Sequence, residues 1–213
     1  MNRKRIILTV LLAAMSASVF AQRTMIVEPE RSHIIEVIND EASSIHSLSC
    51  DFIQTKQLSL MNEKMESKGK MQYAQTDKLR WEYISPYSYI FILNGTSVTL
   101  KSTKKTDVID VASNKIFQDI ARIMMDSVTG KCLTDTSDFK STLYVDGDEW
   151  IAELYPQKKE MKQMFKIIVL HFDRKDRIVK TIELQEKTGD TTLIALNNIE
   201  KNKTVNEAVF VVN

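Results

Sequence analysis

Apolar and polar positions along this chain follow two different periods. Glu30 to Ser44 places Ile34, Ile38 and Ala42, and then Ile45, at helical spacing, with Val37 and Glu41 on neighbouring rows. That pattern predicts one amphipathic helix packed against another element. From Leu48 the period becomes two. Leu48, Cys50 and Phe52 alternate with Ser49 and Asp51. Gly69, Met71 and Tyr73 alternate with Lys68, Lys70 and Gln72, and Leu79, Trp81 and Tyr83 alternate with Lys78, Arg80 and Glu82. These are strands with one dry and one wet face, as antiparallel sheets have. Tyr87 to Leu93 is apolar on both faces, which predicts a strand covered on both sides. Asn94-Gly95 is a hairpin signal, Thr96 to Lys101 its return strand, and Asp107 to Val111 a further short strand.

Ser113 can cap a second helix. Ile116, Phe117, Ile120, Ile123, Met124 and Val128 fall on one face of it, and Gly130 can end it. Strands then resume over Phe139 to Val145 and Glu149 to Tyr155, flanking the turn Asp146-Gly147. Met164 to Phe172, Ile178 to Glu186 and Thr191 to Ile199 follow. Residues 22–29 read as a loose leader, and Val205 to Val212 as a helical turn with a last strand. The expectation is an α+β protein, mainly β, of about ten or eleven strands in consecutive hairpins. A sheet that large curls on itself, and two helices are enough to plug it without forming a separate layer.

The N-terminus changes the accounting. Arg3, Lys4 and Arg5 precede the apolar run Ile6 to Ala14, and Val19-Phe20-Ala21 offers small residues at a cleavage site. Residues 1–21 thus read as a secretory signal peptide, too short to span a membrane comfortably, and residues 22–213 as a single exported, periplasmic domain. No cysteine follows the apolar run to accept a lipid. Cleavage after Ala21 takes the chain from 213 residues at net charge +1 to 192 at −2, because three basic residues leave with the leader. This balance argues against a nucleic-acid partner. Cys50 and Cys132 then face an oxidising compartment, either bridged or as two buried thiols.

Catalytic and metal chemistry is sparse. His33, His46 and His171 have no His or Cys partner at metal-ligand spacing, so no metal site is expected. Five glycines supply no phosphate-binding loop and no nucleophile elbow. Asp146-Gly147-Asp148 is explained as a hairpin turn, Asp107 and Asp110 as strand-edge acids, and Lys101, Lys104 and Lys105 as a solvated cluster. The chain reads as a binding protein, not an enzyme, with no cofactor. What remains is apolar and aromatic. Tyr73, Trp81, Tyr83, Phe91 and Leu93 share alternating faces of neighbouring strands, with Met71 in the sheet and Met124 and Met125 on the second helix. They make either a packed barrel core or the lining of a cavity for an apolar ligand.

One ordered set of residues resembles a known family. Phe52-Ile53-Gln54 follows the first helix. Gly69-Lys70-Met71, Leu79-Arg80-Trp81-Glu82-Tyr83, Pro86 and Asn94-Gly95 come next. Over residues 30–100 this order and spacing resembles the LolA family, periplasmic carriers of outer-membrane lipoproteins. The resemblance implies an unclosed antiparallel barrel with an apolar concave face capped by helices. It also implies a monomer that receives acylated lipoproteins from an inner-membrane ABC release complex and shields their acyl chains on the way to the outer membrane. The implied lining is Phe52, Met71, Tyr73, Leu79, Trp81, Tyr83, Phe91 and Leu93 on the sheet, with Phe117, Ile120 and Met124 on the second helix. Where such carriers have an Arg-Pro pair that latches the lid, this chain has Gln75-Thr76. A glutamine donates to a carbonyl but brings no charge. A lipid- or lipoprotein-sensing module on the same fold is the alternative, and a lipid or glycan hydrolase a more remote one.

Overall fold

The computed structural model describes residues 23–61, 63–75, 77–110, 133–134 and 137–211. The segment predicted to be the signal peptide and the second predicted helix, with Phe117, Ile120, Met124 and Met125, lie outside the described residues. So does Cys132.

One antiparallel sheet of twelve strands organises the described residues. In chain order these are β1 (Thr24–Met25), β2 (Ser47–Leu58), β3 (Glu63–Ala74), β4 (Lys78–Ser85), β5 (Tyr89–Asn94), β6 (Ser97–Ser102) and β7 (Thr106–Asp110). Then come β8 (Phe139–Asp146), β9 (Glu149–Pro156), β10 (Phe165–Asp173), β11 (Val179–Glu186) and β12 (Thr191–Lys201). The spatial order is β1-β8-β9-β10-β11-β12-β2-β3-β4-β5-β6-β7. The edge strands β1 and β7 do not pair, so the sheet is an unclosed barrel. β12 pairs with β2 along most of their length, with an irregularity between Asn197 and Glu200, and joins the two hairpin runs into one surface.

The predicted strands from Leu48 onward correspond in order to β2–β12. The twelfth is β1, two exposed residues inside what reads as a loose leader, recruited by backbone pairing of Thr24 with Val145. A strand of two residues carries no alternation to detect. Tyr87 lies outside β5 and is exposed, and Met164 ends a short helix, α2 (Lys159–Met164), that the sequence reading missed. The tail forms a 3-10 turn, Glu207–Phe210, and Val211, the one described residue after it, is not in a strand.

The first helix, α1 (Glu30–Ser44), spans the predicted residues and buries Ile34, Ile38 and Ala42. The Glu28 carboxylate accepts from the Ser32 amide at 3.2 Å and hydroxyl at 2.6 Å, which satisfies a first-turn donor and lowers the Glu28 pKa. The helix lies across the barrel: Arg31 Nη2 donates to Ser141 Oγ of β8 at 2.9 Å, and Lys201 Nζ of β12 meets Glu41 at 2.5 Å near the other end. Ile34 and Ile38 join one hydrophobic core that includes Leu143, Leu154, Ile168, Leu170, Ile182 and Leu196 of β8–β12 and Phe52, Met71, Leu79 and Trp81 of β2–β4.

The other face of the sheet has its own small core. Ile92 of β5 is buried against Phe210, with Ile90, Val205 and Val209 packed around it. Arg80 Nη1 donates to the Val209 carbonyl at 3.0 Å and Asn94 Nδ2 to the Phe210 carbonyl at 3.3 Å. This tail is what covers the second face of β5, as the continuous apolar run predicted.

Gly69 is where the concave face is tightest. A Cβ there would collide with the Glu82 carbonyl and the Phe52 ring. Gly69→Ala is expected to cost about 1–3 kcal/mol through overpacking. Urea denaturation should show a lowered midpoint, and an unchanged midpoint would contradict this packing.

Candidate functional site

Strand register places the predicted sheet residues together. Across the antiparallel ladder, Cys50 faces Met71, Met71 faces Trp81 and Trp81 faces Phe91. The next row is Leu48, Tyr73, Leu79, Leu93 and Val98, and the row on the other side is Leu196, Phe52, Gly69, Tyr83 and Tyr89. Side chains in such rows point to one face. Phe52, Met71, Tyr73, Leu79, Trp81, Phe91 and Leu93 are all buried there, and Tyr83 is half-buried.

Phe52 reaches across β3 because Gly69 has no side chain. Its ring stacks on Trp81 with centroids 4.3 Å apart and planes 27° apart, and meets Tyr83 edge-on at 5.2 Å. Tyr89 continues the series, 6.5 Å from Tyr83. The line runs from the buried centre toward the end of the sheet that bears the β4–β5 turn, and rings in these arrangements attract beyond their area.

Polar groups on this face are few. Tyr83 Oη donates to Gln54 Oε1 at 2.9 Å. Burial pushes the Tyr83 phenol up, opposed by the nearby Trp81 N–H and by Gln54. The buried indole N–H lies beside the Tyr83 oxygen, which can accept from it while giving its own proton to Gln54. Gln54 belongs to the Phe52-Ile53-Gln54 segment but is not among the expected lining residues. The period of two from Phe52 already places it on the Phe52 face, and the pairing of Phe52 with Gly69 and Gly69 with Tyr83 brings it to the tyrosine.

Cys50 is a free thiol buried on the same face, pushed up to about 12 chiefly by desolvation, with a smaller contribution from the Asp51 charge. Gln75, at the end of β3, is exposed. Its Nε2 donates to the Ile45 carbonyl at 3.2 Å, and its backbone N–H donates to His46 at 2.8 Å. It therefore ties the β3–β4 turn to the junction of α1 and β2, with the neutral carbonyl contact that a glutamine permits.

The convex face differs in chemistry. A groove of about 550 Å³ there is lined in part by Ser49, Asp51, Lys70, Gln72, Arg80 and Glu82. Within it, Arg80 Nη2 lies 2.8 Å from Glu82, and Asn198 donates to Asp51 at 2.8 Å. His171, also on this face, is held between Glu149 at 2.9 Å and Glu183 at 3.1 Å. Among the described residues no group of three or more His, Cys, Asp or Glu is placed to hold a metal ion. Lys105 pairs with Asp107 at 2.8 Å.

The profile of the family described as outer membrane lipoprotein carrier protein LolA matches residues 43–213, from the end of α1 through the second half of the sheet. No curated protein matches the sequence. Among solved structures, a LolA-superfamily protein from Nitrosomonas europaea is 10% identical, covering 84% of this chain and 97% of its own, with a TM-score of 0.47. The Pseudomonas aeruginosa MucA/MucB complex is 10% identical over 86% of this chain and 61% of its own, with a TM-score of 0.51. The Mycobacterium tuberculosis lipoprotein LppX is 9% identical over 84% of this chain and 99% of its own, with a TM-score of 0.45. At such identities the likeness concerns the fold alone.

The buried thiol makes a pH prediction. The unfolded thiol ionises near the ordinary value of 9.0, whereas the folded one stays protonated until about 12. Above pH 9 the unfolded chain therefore holds fewer protons, and stability falls as pH rises. In a Cys132→Ser background, Ellman's reagent at pH 8 should leave Cys50 unmodified until urea unfolds the chain. Rapid labelling of the folded protein would contradict its burial.

Proposed function

Because the chain belongs to the LolA family of outer membrane lipoprotein carriers, we propose that it is a periplasmic carrier that takes lipoprotein acyl chains onto its concave apolar face. The observation that carries this reading is that face itself: aromatic and aliphatic rows on an unclosed sheet. Residues 1–21 are then the export signal. Phe117, Ile120 and Met124 belong to a lid over the rows, and the donor is an inner-membrane ABC release complex. The protein works as a monomer, without cofactor or catalysis.

The energetics suit transit. Each buried methylene contributes about 0.8 kcal/mol, so one sixteen-carbon chain represents on the order of 12 kcal/mol. A permanently empty apolar cavity would hold such a load too tightly to release it. If the chains replace contacts the face already makes with covering helices, only the difference appears as affinity. Direction then follows from the relative affinities of donor, carrier and acceptor.

A second reading on the same fold, a lipid-sensing module acting through a protein partner, draws support from the MucA/MucB complex among the structural neighbours.

The carrier reading predicts that protein isolated from periplasm carries acylated lipoprotein, detected by mass spectrometry, and delivers it to outer-membrane vesicles. Folded protein free of lipid, bound instead to a protein partner, would favour the sensor. Gln75→Arg is expected to slow release severalfold by adding a charge-assisted bond at the Ile45 carbonyl. Unchanged release kinetics would separate this position from the mechanism.

A further inference from the structure

The β2–β3 hairpin reaches past both of its neighbours. β12 pairs with β2 only as far as Gln57, and β4 pairs with β3 only as far as Lys68. Ser59 braces this arm against the β11–β12 turn: its amide donates to Asp190 at 3.0 Å and its hydroxyl to the Thr188 carbonyl at 3.2 Å. At the tip thus held out, Leu60 is 96% exposed and Met61 60%. Met65 on the arm is exposed too, as are Ile84, Tyr87 and Tyr89 around the β4–β5 turn, which opens on the same end of the sheet. Around the turns at the opposite end, at Asp77, Gly95, Gly147 and residues 174–177, no described residue is an exposed large apolar side chain. Exposed apolar residues scattered singly need no explanation, but their grouping on one end does.

The same end is basic. The Lys187 amide donates to the Met164 carbonyl at 3.0 Å, so the turn that holds Ser59 also adjoins α2. Lys64, Lys159, Lys162, Lys166 and Lys187 are exposed on the arm, on α2 and on the strand ends beside them. Among the nearby acids, Glu186 and Asp190 lie 2.9 and 3.9 Å from Lys56, Glu66 lies 3.2 Å from Lys68, and Asp138 pairs with Lys158. The other acids there are Glu63 and Glu160, fewer than the five exposed lysines. An apolar tip with cations behind it complements hydrocarbon beneath a layer of negative headgroups, and tyrosines favour that boundary. Every cation named here is a lysine. Protein interfaces are depleted in lysine and favour the arginine fork, whereas a point charge on a flexible stem suits diffuse lipid phosphate.

We propose that the β2–β3 arm docks this protein on anionic phospholipid bilayers, with Leu60 and Met61 entering the headgroup boundary and the lysines facing lipid phosphates. This goes beyond the carrier reading. It concerns the surface on which the protein rests, and it stands whatever the concave face binds.

The test floats protein purified from periplasm with vesicles of phosphatidylcholine, alone or mixed with phosphatidylglycerol. The mixed vesicles are expected to bind about tenfold more tightly or better, since each lysine near an anionic surface contributes on the order of fivefold. Leu60→Ser combined with Met61→Ser should weaken that binding about tenfold, the scale of one large apolar side chain withdrawn. Both side chains are exposed, so the double variant should keep the wild-type urea midpoint, which separates lost docking from lost folding. An environment-sensitive dye on Met61→Cys, in a Cys132→Ser background, should shift to the blue with mixed vesicles. The same dye on Lys175→Cys, at the opposite end, should not. Folded protein that floats with neither vesicle would overturn the proposal, as would equal binding to both kinds or binding that the double variant leaves intact. A tip dye that ignores vesicles and responds only to a membrane protein would make the arm a protein contact, and would overturn it as well. Protein that docks on vesicles yet carries no lipoprotein would overturn the carrier reading and leave this inference standing.

Discussion

The stack of Phe52 on Trp81 across Gly69 is the contact on which the rest of the concave face depends. Three consecutive strands meet there, and the middle one contributes no side chain. The missing Cβ lets an aromatic ring from β2 lie on one from β4 at 4.3 Å. Neighbouring rows then fall into place by the period of the sheet. Met71 and Phe91 flank the tryptophan on either side, Leu79 and Leu93 fill the next row, and Tyr83 turns its edge to Phe52 and its hydroxyl to Gln54. Because register has a period of two, a one-residue slip of β3 would remove Gly69 from beneath the ring and turn Met71 and Tyr73 to the wet face.

The two faces of the sheet divide the work. The convex face meets its polar needs internally, through Arg80 with Glu82, His171 between two glutamates, and a tail pinned by Arg80 and Asn94. The concave face is nearly all hydrocarbon, crossed on the β8–β12 side by α1. An unclosed barrel keeps such a face from sealing on itself, which is what a reversible lipid carrier requires: hydrocarbon contacts that a ligand exchanges instead of adding to.

Much of this was legible in the sequence, for physical reasons that vary by element. Alternation exposed β4 because each of Leu79, Trp81 and Tyr83 is separated by a charged residue. The span of α1 was readable from the spacing of Ile34, Ile38 and Ala42. The outer halves of β2 and β3 were less readable: Thr55 to Leu58 and Glu63 to Ser67 form a hairpin arm held by backbone pairing, with too few apolar positions to alternate. α2 is six residues, too short for a helical period to show, and β1 is shorter still. The burial of Ile92 by Phe210 joins residues far apart in the chain, so only the two-sided apolar run of β5 hinted at it. At the site, the aromatic rows followed from alternation, but the bond from Tyr83 to Gln54 depends on the pairing of Phe52, Gly69 and Tyr83 across three strands.

The central claim is that the concave aromatic face receives acyl chains. The most direct measurement is photo-crosslinking with a triacylated peptide bearing a diazirine near each chain end, followed by mapping of the adducts by mass spectrometry. The account predicts adducts on the concave rows of β2–β6, at residues such as Phe52, Leu79, Trp81, Phe91 and Leu93. Adducts confined to the convex face, or none while the protein remains folded, would contradict it.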